Sequence, residues 1–122
     1  MTSAKLAPSK TTDANGWTVY DYGTFKEYIK LFTGGSVSSL GNGSAATVFN
    51  NMNLPTGKTR GGLYLFTGSN NDTSDGTRYA WAHNGNRTGT DTSTTFIISV
   101  RNITGSALTE SGLTCAIRAV DR

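Results

Sequence analysis

This chain of 122 residues has little of the material from which metal centres, redox sites and catalytic triads are built. It contains one cysteine, Cys115, and one histidine, His83. A lone cysteine cannot form a disulfide framework or a redox pair. One cysteine and one histidine also provide too few ligands for a zinc site of the usual kind. Cys115 lies in Leu-Thr-Cys-Ala-Ile, where we expect a small buried side chain.

Long apolar runs and concentrated charge are also missing. No window approaches the roughly 18 apolar residues of a transmembrane helix, and residues 1–10 lack the apolar segment of a signal peptide. Eleven Lys and Arg against eight Asp and Glu give a net charge of +3, but the basic residues are scattered. We therefore expect no membrane insertion and no nucleic-acid partner.

Apolar residues are scarce for a domain of this length. They make up 35% of the chain, against about 45–50% in ordinary globular domains when glycine is counted. A chain of this size can bury about two-thirds of its unfolded surface, so one domain with a real core is possible. A domain short of apolar residues often completes its core against another copy, which points to oligomerisation.

The clearest structural signal is residues 17–33, which are dominated by aromatic and β-branched side chains. They predict two strands joined by a tight turn at Tyr22-Gly23-Thr24. In the first strand Trp17 and Val19 share one face. The second strand has apolar side chains on both faces, with Phe25, Ile29 and Leu31 on one and Tyr28 and Phe32 on the other.

The same signals predict further short strands separated by glycine, asparagine and proline turns. Their expected ranges are 36–40, 44–49, 58–66, 78–83, 95–101 and 113–120, and 107–109 is a weak further candidate. Range 44–49 is also compatible with one helical turn. The pattern predicts an all-β fold, an antiparallel β-sandwich or jelly-roll-like barrel of seven or eight short strands. Residues 1–15 are expected to be a flexible arm or linker, and residues 16–122 a single β-sandwich domain.

The sequence contains few candidates for catalytic residues. The only pair of carboxylates that the predicted hairpin could bring together is Asp21 and Glu27, which is the minimum for a glycosidase. Two surface carboxylates beside lysines are the better interpretation. Residues 72–76 resemble the start of a calcium loop, but the bidentate glutamate that should follow is missing. We expect no metal, no cofactor and no enzymatic activity.

Binding is the function that the polar loops favour. Two polar loops, residues 68–76 and 84–93, flank a predicted strand, and loops on a rigid β-scaffold commonly house recognition. An aromatic ring with polar neighbours is suited to stacking on a sugar. The candidate ligand-binding residues are Asp72, Asp75, Arg78, Tyr79, Trp81, His83, Asn86 and Arg87. The alternative is that Tyr79 and Trp81 are core residues beneath solvated loops.

The two ends of the chain resemble C-terminal modules of phage tail fibres and receptor-binding proteins. The first pattern is Asn15-Gly16-Trp17-Thr18-Val19-Tyr20, followed by Gly23 and Glu27-Tyr28. The second is the closing segment Ala116-Ile117-Arg118-Ala119-Val120-Asp121-Arg122. The chain departs from the family pattern at Asp21-Tyr22-Gly23, which lacks an Asn-Gly turn, and at Ile29, where tryptophan is common.

This resemblance implies a homotrimeric head at the tip of a tail fibre, made in the host cytoplasm and carried on the virion. Such a head binds a host cell-surface saccharide or protein, and it generally has no catalytic motif. Residues 1–15 would then connect the head to a shaft. Two alternatives are a structural virion or fibre decoration domain without its own receptor, and a monomeric carbohydrate-binding, lectin-like module.

Overall fold

The aromatic and β-branched runs of the sequence form strands in the computed structural model, which describes residues 7–69, 78–86 and 88–122. These residues contain eight strands and a short 3-10 helix. The strands are β1 (Ser9–Thr12), β2 (Thr18–Asp21), β3 (Lys26–Leu40), β4 (Ala45–Asn53), β5 (Leu63–Ser69), β6 (Tyr79–His83), β7 (Thr95–Asn102) and β8 (Leu108–Asp121), and the helix is Arg60–Gly62. Within these ranges no helix combines the length and the apolar character required to cross a membrane.

The strands form two antiparallel sheets. The five-stranded sheet has the order β1-β2-β3-β8-β5, and the three-stranded sheet has the order β4-β7-β6. Buried side chains from both sheets form the core between them. The predicted all-β fold is therefore confirmed, and the architecture is sandwich-like.

The predicted hairpin is formed by β2 and β3. Its turn closes with a hydrogen bond from the Tyr22 N–H to the Phe25 carbonyl oxygen at 3.0 Å, and Gly23 has a φ of 90°, which glycine adopts readily. Trp17 and Val19 are buried on the inner face, as their alternation predicts. Residues 9–12 lie within the segment for which an arm was predicted, and they form β1, which pairs with β2 at the edge of the sheet.

Two long strands replace four of the predicted short ones. β3 runs through Gly34-Gly35, and β8 runs through Gly112, because both strands bulge instead of ending. Gly35 is a packing position: a Cβ atom there would lie 2.2 Å from the Cγ1 atom of Val48 and 2.9 Å from the Phe49 ring. The bulges let one continuous strand pair bend around the core.

The main core cluster centres on four aromatic rings. The ring centroid of Phe32 lies 5.7–5.8 Å from those of Trp17, Phe49 and Phe96. Such spacings are favourable for aromatic pairs, which add to the free energy gained by burial. The Trp17 Nε1–H donates to the Asn53 carbonyl oxygen at 3.0 Å, so the one polar atom of the indole is also satisfied.

A second, smaller cluster lies where the C-terminal end of β3 meets the N-terminal half of β8. Its buried members are Val37, Leu40, Tyr79, Val100 and Leu113. Beside it, the fully buried Asn102 donates through Nδ2 to the carbonyl oxygens of Leu40 and Ser106 at 2.8 and 2.7 Å. This amide secures the loop that connects β7 to β8.

Candidate functional site

The eight predicted ligand-binding residues are divided by strand β6. Arg78 precedes β6, and Asn86 follows it. At about 3.3 Å per residue, a five-residue strand separates its two flanking loops by roughly 15 Å. Asp72, Asp75 and Arg87 lie outside the described residues. The structure therefore does not gather the described candidates into one cluster.

Two of the candidates point into the sandwich. Tyr79 is 2% exposed and belongs to the second core cluster. Trp81 is partly buried and packs against both clusters. Alternation along β6 places Ala80 and Ala82 on the exposed face. These positions correspond to the alternative interpretation, in which Tyr79 and Trp81 are core residues.

His83 and Asn86 are used by the fold itself. The Asn86 Oδ1 atom accepts the Leu65 N–H at 2.7 Å, and the Asn86 Nδ2–H donates to the Leu65 carbonyl oxygen at 2.9 Å. The Nε2 atom of His83 lies 3.0 Å from the same oxygen. Leu65 is in β5, an edge strand of the five-stranded sheet, whereas His83 and Asn86 lie at the end of β6 in the three-stranded sheet. Their side chains therefore provide hydrogen-bond partners for the backbone N–H and carbonyl groups of Leu65 at that edge.

The hydrogen bonds of His83 define its protonation state. Nδ1 accepts the Gly85 N–H at 3.0 Å, and Nε2 faces a carbonyl oxygen, so the neutral ring carries its proton on Nε2. Burial lowers the pKa of His83 below its usual value, and the hydrogen bond to Leu65 opposes this shift more weakly. The ring is thus held neutral as a structural link.

The charged side chains that the sequence singled out either form ion pairs or lie on opposite faces of the hairpin. Arg78 forms an ion pair with Glu110 of β8. In the hairpin Glu27 pairs with Tyr20, and Asp21 pairs with Lys26, so adjacent positions place the two carboxylates on opposite faces. Asp21 and Glu27, the pair considered for a hydrolase, therefore do not face each other.

The most distinctive surface lies on the outside of the five-stranded sheet. Four large apolar side chains there are 36–48% exposed: Ile29 and Leu31 of β3, and Tyr64 and Phe66 of β5. The strand register brings them together, because Arg118 of β8 pairs with both Ile29 and Phe66. We call these four side chains, with Glu27 and Arg118 among them, the outer apolar face.

The charges of the outer apolar face are paired within it. The Arg118 Nε atom lies 2.5 Å from the Glu27 Oε2 atom, and its guanidinium lies 5.5 Å from the centroid of the Phe66 ring. At the rim, the Arg122 guanidinium lies 4.4 Å from the centroid of the Tyr64 ring. Cations over aromatic faces are weakly attractive and keep the rings oriented.

A shallow depression of about 250 Å³ lies within this face. Its lining residues are Ile29, Phe66, Thr67, Ala116, Ile117 and Arg118. The surface is therefore broad and nearly flat, which suits contact with another protein surface better than enclosure of a small molecule.

Sequence reasoning missed this face, although two signals for it were present. Ile29 and Leu31 alternate with Tyr28 and Phe32, so β3 has apolar side chains on both faces. In β5, Tyr64 alternates with the buried Leu63 and Leu65 in the same way. Apolar residues on both faces of a strand indicate that both faces can be covered.

In comparisons with known proteins, no family model, no curated protein and no solved structure matches this chain. A metal site is not found in residues 7–69, 78–86 and 88–122 either, since no three His, Cys, Asp or Glu side chains there are grouped to hold an ion.

Proposed function

We propose that this chain is a non-catalytic attachment module that assembles as a homotrimer and binds a host cell-surface saccharide or protein. In this proposal the module forms the tip of a phage tail fibre and is carried on the virion. The observation that supports it best is the outer apolar face, which a second copy of the chain would cover.

A sister copy is favoured as the occupant by the scarcity of apolar residues. With 35% apolar composition, a chain that leaves Ile29, Leu31, Tyr64 and Phe66 in water on one surface forgoes part of its small supply of burial energy. Burying apolar surface contributes about 25 cal/mol per Å², so covering these side chains would stabilise an assembly. Contiguous exposed apolar patches commonly mark protein interfaces.

The charge pattern is also compatible with self-association. Glu27 and Arg118 neutralise each other within the face. A covering copy would therefore bury a formed ion pair and not a lone charge, whose burial without a partner is strongly destabilising. Both signs are present on the same surface, so two identical copies do not repel each other there.

The attachment role and the trimer rest on the resemblance of both chain ends to fibre-tip modules. The first pattern covers β2 and the start of β3. Beyond the pattern, β3 continues with Ile29 and Leu31, which belong to the outer apolar face. The closing strand β8 carries the second pattern and contributes Arg118. Of the side chains of the outer apolar face, Glu27 and Arg118 thus lie within the two patterns, Ile29 and Leu31 follow the first one in β3, and Tyr64 and Phe66 of β5 lie outside both.

The test is adsorption of the fluorescently labelled protein to a panel of bacterial species, with its mass measured in parallel by light scattering. We expect a trimer that coats at least one species. A folded but monomeric Leu31→Lys variant should lose adsorption, because linking sites raises apparent affinity by about 10²–10⁴. A trimer that coats no species would support a structural decoration domain, and a monomer that binds sugars would support a lectin-like module; either result contradicts the proposal.

A further inference from the structure

Two exposed aromatic rings stack on each other at the tip of the β2–β3 hairpin. The ring centroids of Tyr22 and Phe25 are 4.8 Å apart, their planes differ by 14°, and each residue is 45% exposed. The turn that carries them is closed by the hydrogen bond between the Tyr22 N–H and the Phe25 carbonyl oxygen. The tip therefore presents an aromatic surface in a defined position.

Folding of the hairpin does not require these rings. Neither Tyr22 nor Phe25 belongs to the two core clusters. Tight turns are formed by Gly, Asn, Asp and Ser, and here Gly23 already supplies the left-handed conformation. The register places both rings on the same side of the sheet as Glu27 and Ile29, at its hairpin end and beyond the four side chains of the outer apolar face.

A depression of about 330 Å³ opens beside Tyr22. It is lined by Ala7, Pro8, Ser9, Asp21, Tyr22 and Gly23. The pairing of β1 with β2 forms it, because Ser9 lies opposite Asp21 in the register. Its volume is at the lower end of the range of small-molecule sites, about 300–1,000 Å³, so it suits a small chemical unit.

Asp21 supplies an oriented acceptor at this depression. Its Oδ1 atom accepts the Gly23 N–H at 2.8 Å, which orients the carboxylate in the turn. A carboxylate has about four lone-pair positions, so it retains capacity to accept further hydrogen bonds. Ser9, whose side chain can both donate and accept, is another lining residue of this depression.

From this arrangement we infer that the depression at the hairpin tip is a binding site for one neutral sugar residue, which packs against Tyr22 and donates hydroxyl hydrogen bonds to Asp21. The inference rests on the proposed attachment function and specifies its ligand and its location. Sugars combine an apolar C–H face with a rim of hydroxyl groups, which matches an aromatic ring beside a carboxylate. The carboxylate disfavours acidic sugars and phosphate-bearing ligands.

The experiment is an NMR titration of the ¹⁵N-labelled protein with individual sugars. The neutral probes are glucose, galactose, mannose, rhamnose, N-acetylglucosamine and N-acetylgalactosamine, and the acidic probe is N-acetylneuraminic acid. We expect at least one neutral sugar, and not the acidic one, to shift the amide signals of Tyr22 and Gly23. Saturation transferred from the protein should reach the C–H protons on one face of that sugar.

Three variants assign the effect to the site. Tyr22→Ala should weaken binding about tenfold or more, because it removes the stacking surface. Asp21→Asn keeps an oxygen for the Gly23 N–H and should weaken binding without changing the spectrum of the turn. Tyr64→Ala is the matched control: it removes an equally exposed tyrosine from the outer apolar face, and it should leave the sugar-induced shift of Gly23 unchanged.

The outcomes separate this inference from the proposed function. If none of the neutral sugars shifts the Tyr22 and Gly23 signals, or if Tyr22→Ala binds as tightly as the parent, the tip site is overturned. A trimer that still coats cells with Tyr22→Ala would keep the attachment function and reject the tip. A monomer that binds sugar through Tyr22 and Asp21 would keep the tip and reject the trimer.

Discussion

The two outer faces of this sandwich differ in chemistry, although the two sheets share one core. On the five-stranded sheet, Ile29, Leu31, Tyr64 and Phe66 are exposed. On the three-stranded sheet, the exposed positions of the outer face are held by small or polar residues such as Thr47, Ala80, Ala82 and Arg101. None of the large apolar side chains found exposed in the described residues lies in β4, β6 or β7.

Among the described residues, six of the seven large apolar side chains that are exposed lie in the five-stranded sheet or its hairpin turn, and the seventh, Ile103, follows β7. The outer face of the three-stranded sheet carries alanine and threonine in β4 and β6, and one partly exposed isoleucine, Ile97, in β7. The concentration of large, strongly exposed apolar side chains on one outer face is best explained by a covering partner.

The largest expected effect is the difference in the free energy of unfolding between a Phe→Ala substitution on the inner face and one on the outer face. Phe96→Ala removes a ring that is 0% exposed and should lower the free energy of unfolding by about 3–5 kcal/mol. Phe66→Ala removes a half-exposed ring and should cost about 1 kcal/mol or less in the single chain. Urea unfolding of both variants in a monomeric background measures the difference, and equal losses would contradict the assignment of the two faces.

The next effect compares the two outer faces. Leu31→Lys places a charge in the proposed interface and should raise the dissociation constant of the assembly about a hundredfold or more, because a buried charge without a partner is costly. Thr47→Lys introduces the same charge on the outer face of the three-stranded sheet and should change nothing. Sedimentation across a concentration series measures both, and a similar response of the two variants would argue against a specific interface.

A smaller effect is expected from the ion pair of the outer apolar face. Glu27→Gln leaves Arg118 without its carboxylate. Since Arg118 is half exposed in the single chain, the loss there should be about 1 kcal/mol or less. In the assembly Arg118 would be covered, so we expect the dissociation constant to rise about tenfold. An unchanged dissociation constant would mean that Glu27 and Arg118 stay exposed to solvent in the assembly.

The smallest effect is a pH dependence that separates folding from assembly. Burial lowers the pKa of His83 in the folded chain, so the unfolded chain binds the proton more readily. The stability from neutral His83 is complete above the ordinary pKa of about 6.5 and is lost as the pH falls through the lower folded value. His83 is the only histidine of the chain, and it contacts the backbone of Leu65 in β5 and none of the side chains that define the outer apolar face.

We therefore expect the free energy of unfolding to fall between neutral and mildly acidic pH, while the dissociation constant of the assembly stays constant. A His83→Gln variant should be less stable at neutral pH and should have a flatter pH profile in that range. Equilibrium unfolding at several pH values provides the measurement. If the wild-type profile were already flat, the His83 link between the sheets would contribute no measurable stability.

Much of the fold could be predicted because strand signals are local. Alternation located the β2–β3 hairpin and gave β7 nearly the bounds that it has. The continuity of β3 could not be predicted, because Gly34-Gly35 has the local character of a turn. Only the neighbouring strand reveals why glycine is needed there: Val48 and Phe49 leave no room for a side chain at Gly35.

The candidate site was harder to predict, because side chains suited to ligands are equally suited to the backbone. Asn86 and His83 carry the groups that bind sugars, yet both are used by Leu65, which lies 21 and 18 residues away in sequence. That pairing depends on how the two sheets meet. The choice between the two apolar faces of β3 likewise depends on the partner strands and not on local periodicity.

The central claim is that a sister copy covers the outer apolar face and leaves the hairpin tip in water. Hydroxyl-radical footprinting of the native protein and of the Leu31→Lys monomer tests it directly, because Tyr64, Phe66, Tyr22 and Phe25 are 45–48% exposed in the single chain. We predict that Tyr64 and Phe66 are protected in the native protein and become labelled in the variant, while Tyr22 and Phe25 are labelled in both. Equal labelling of all four rings in the native protein would contradict the account.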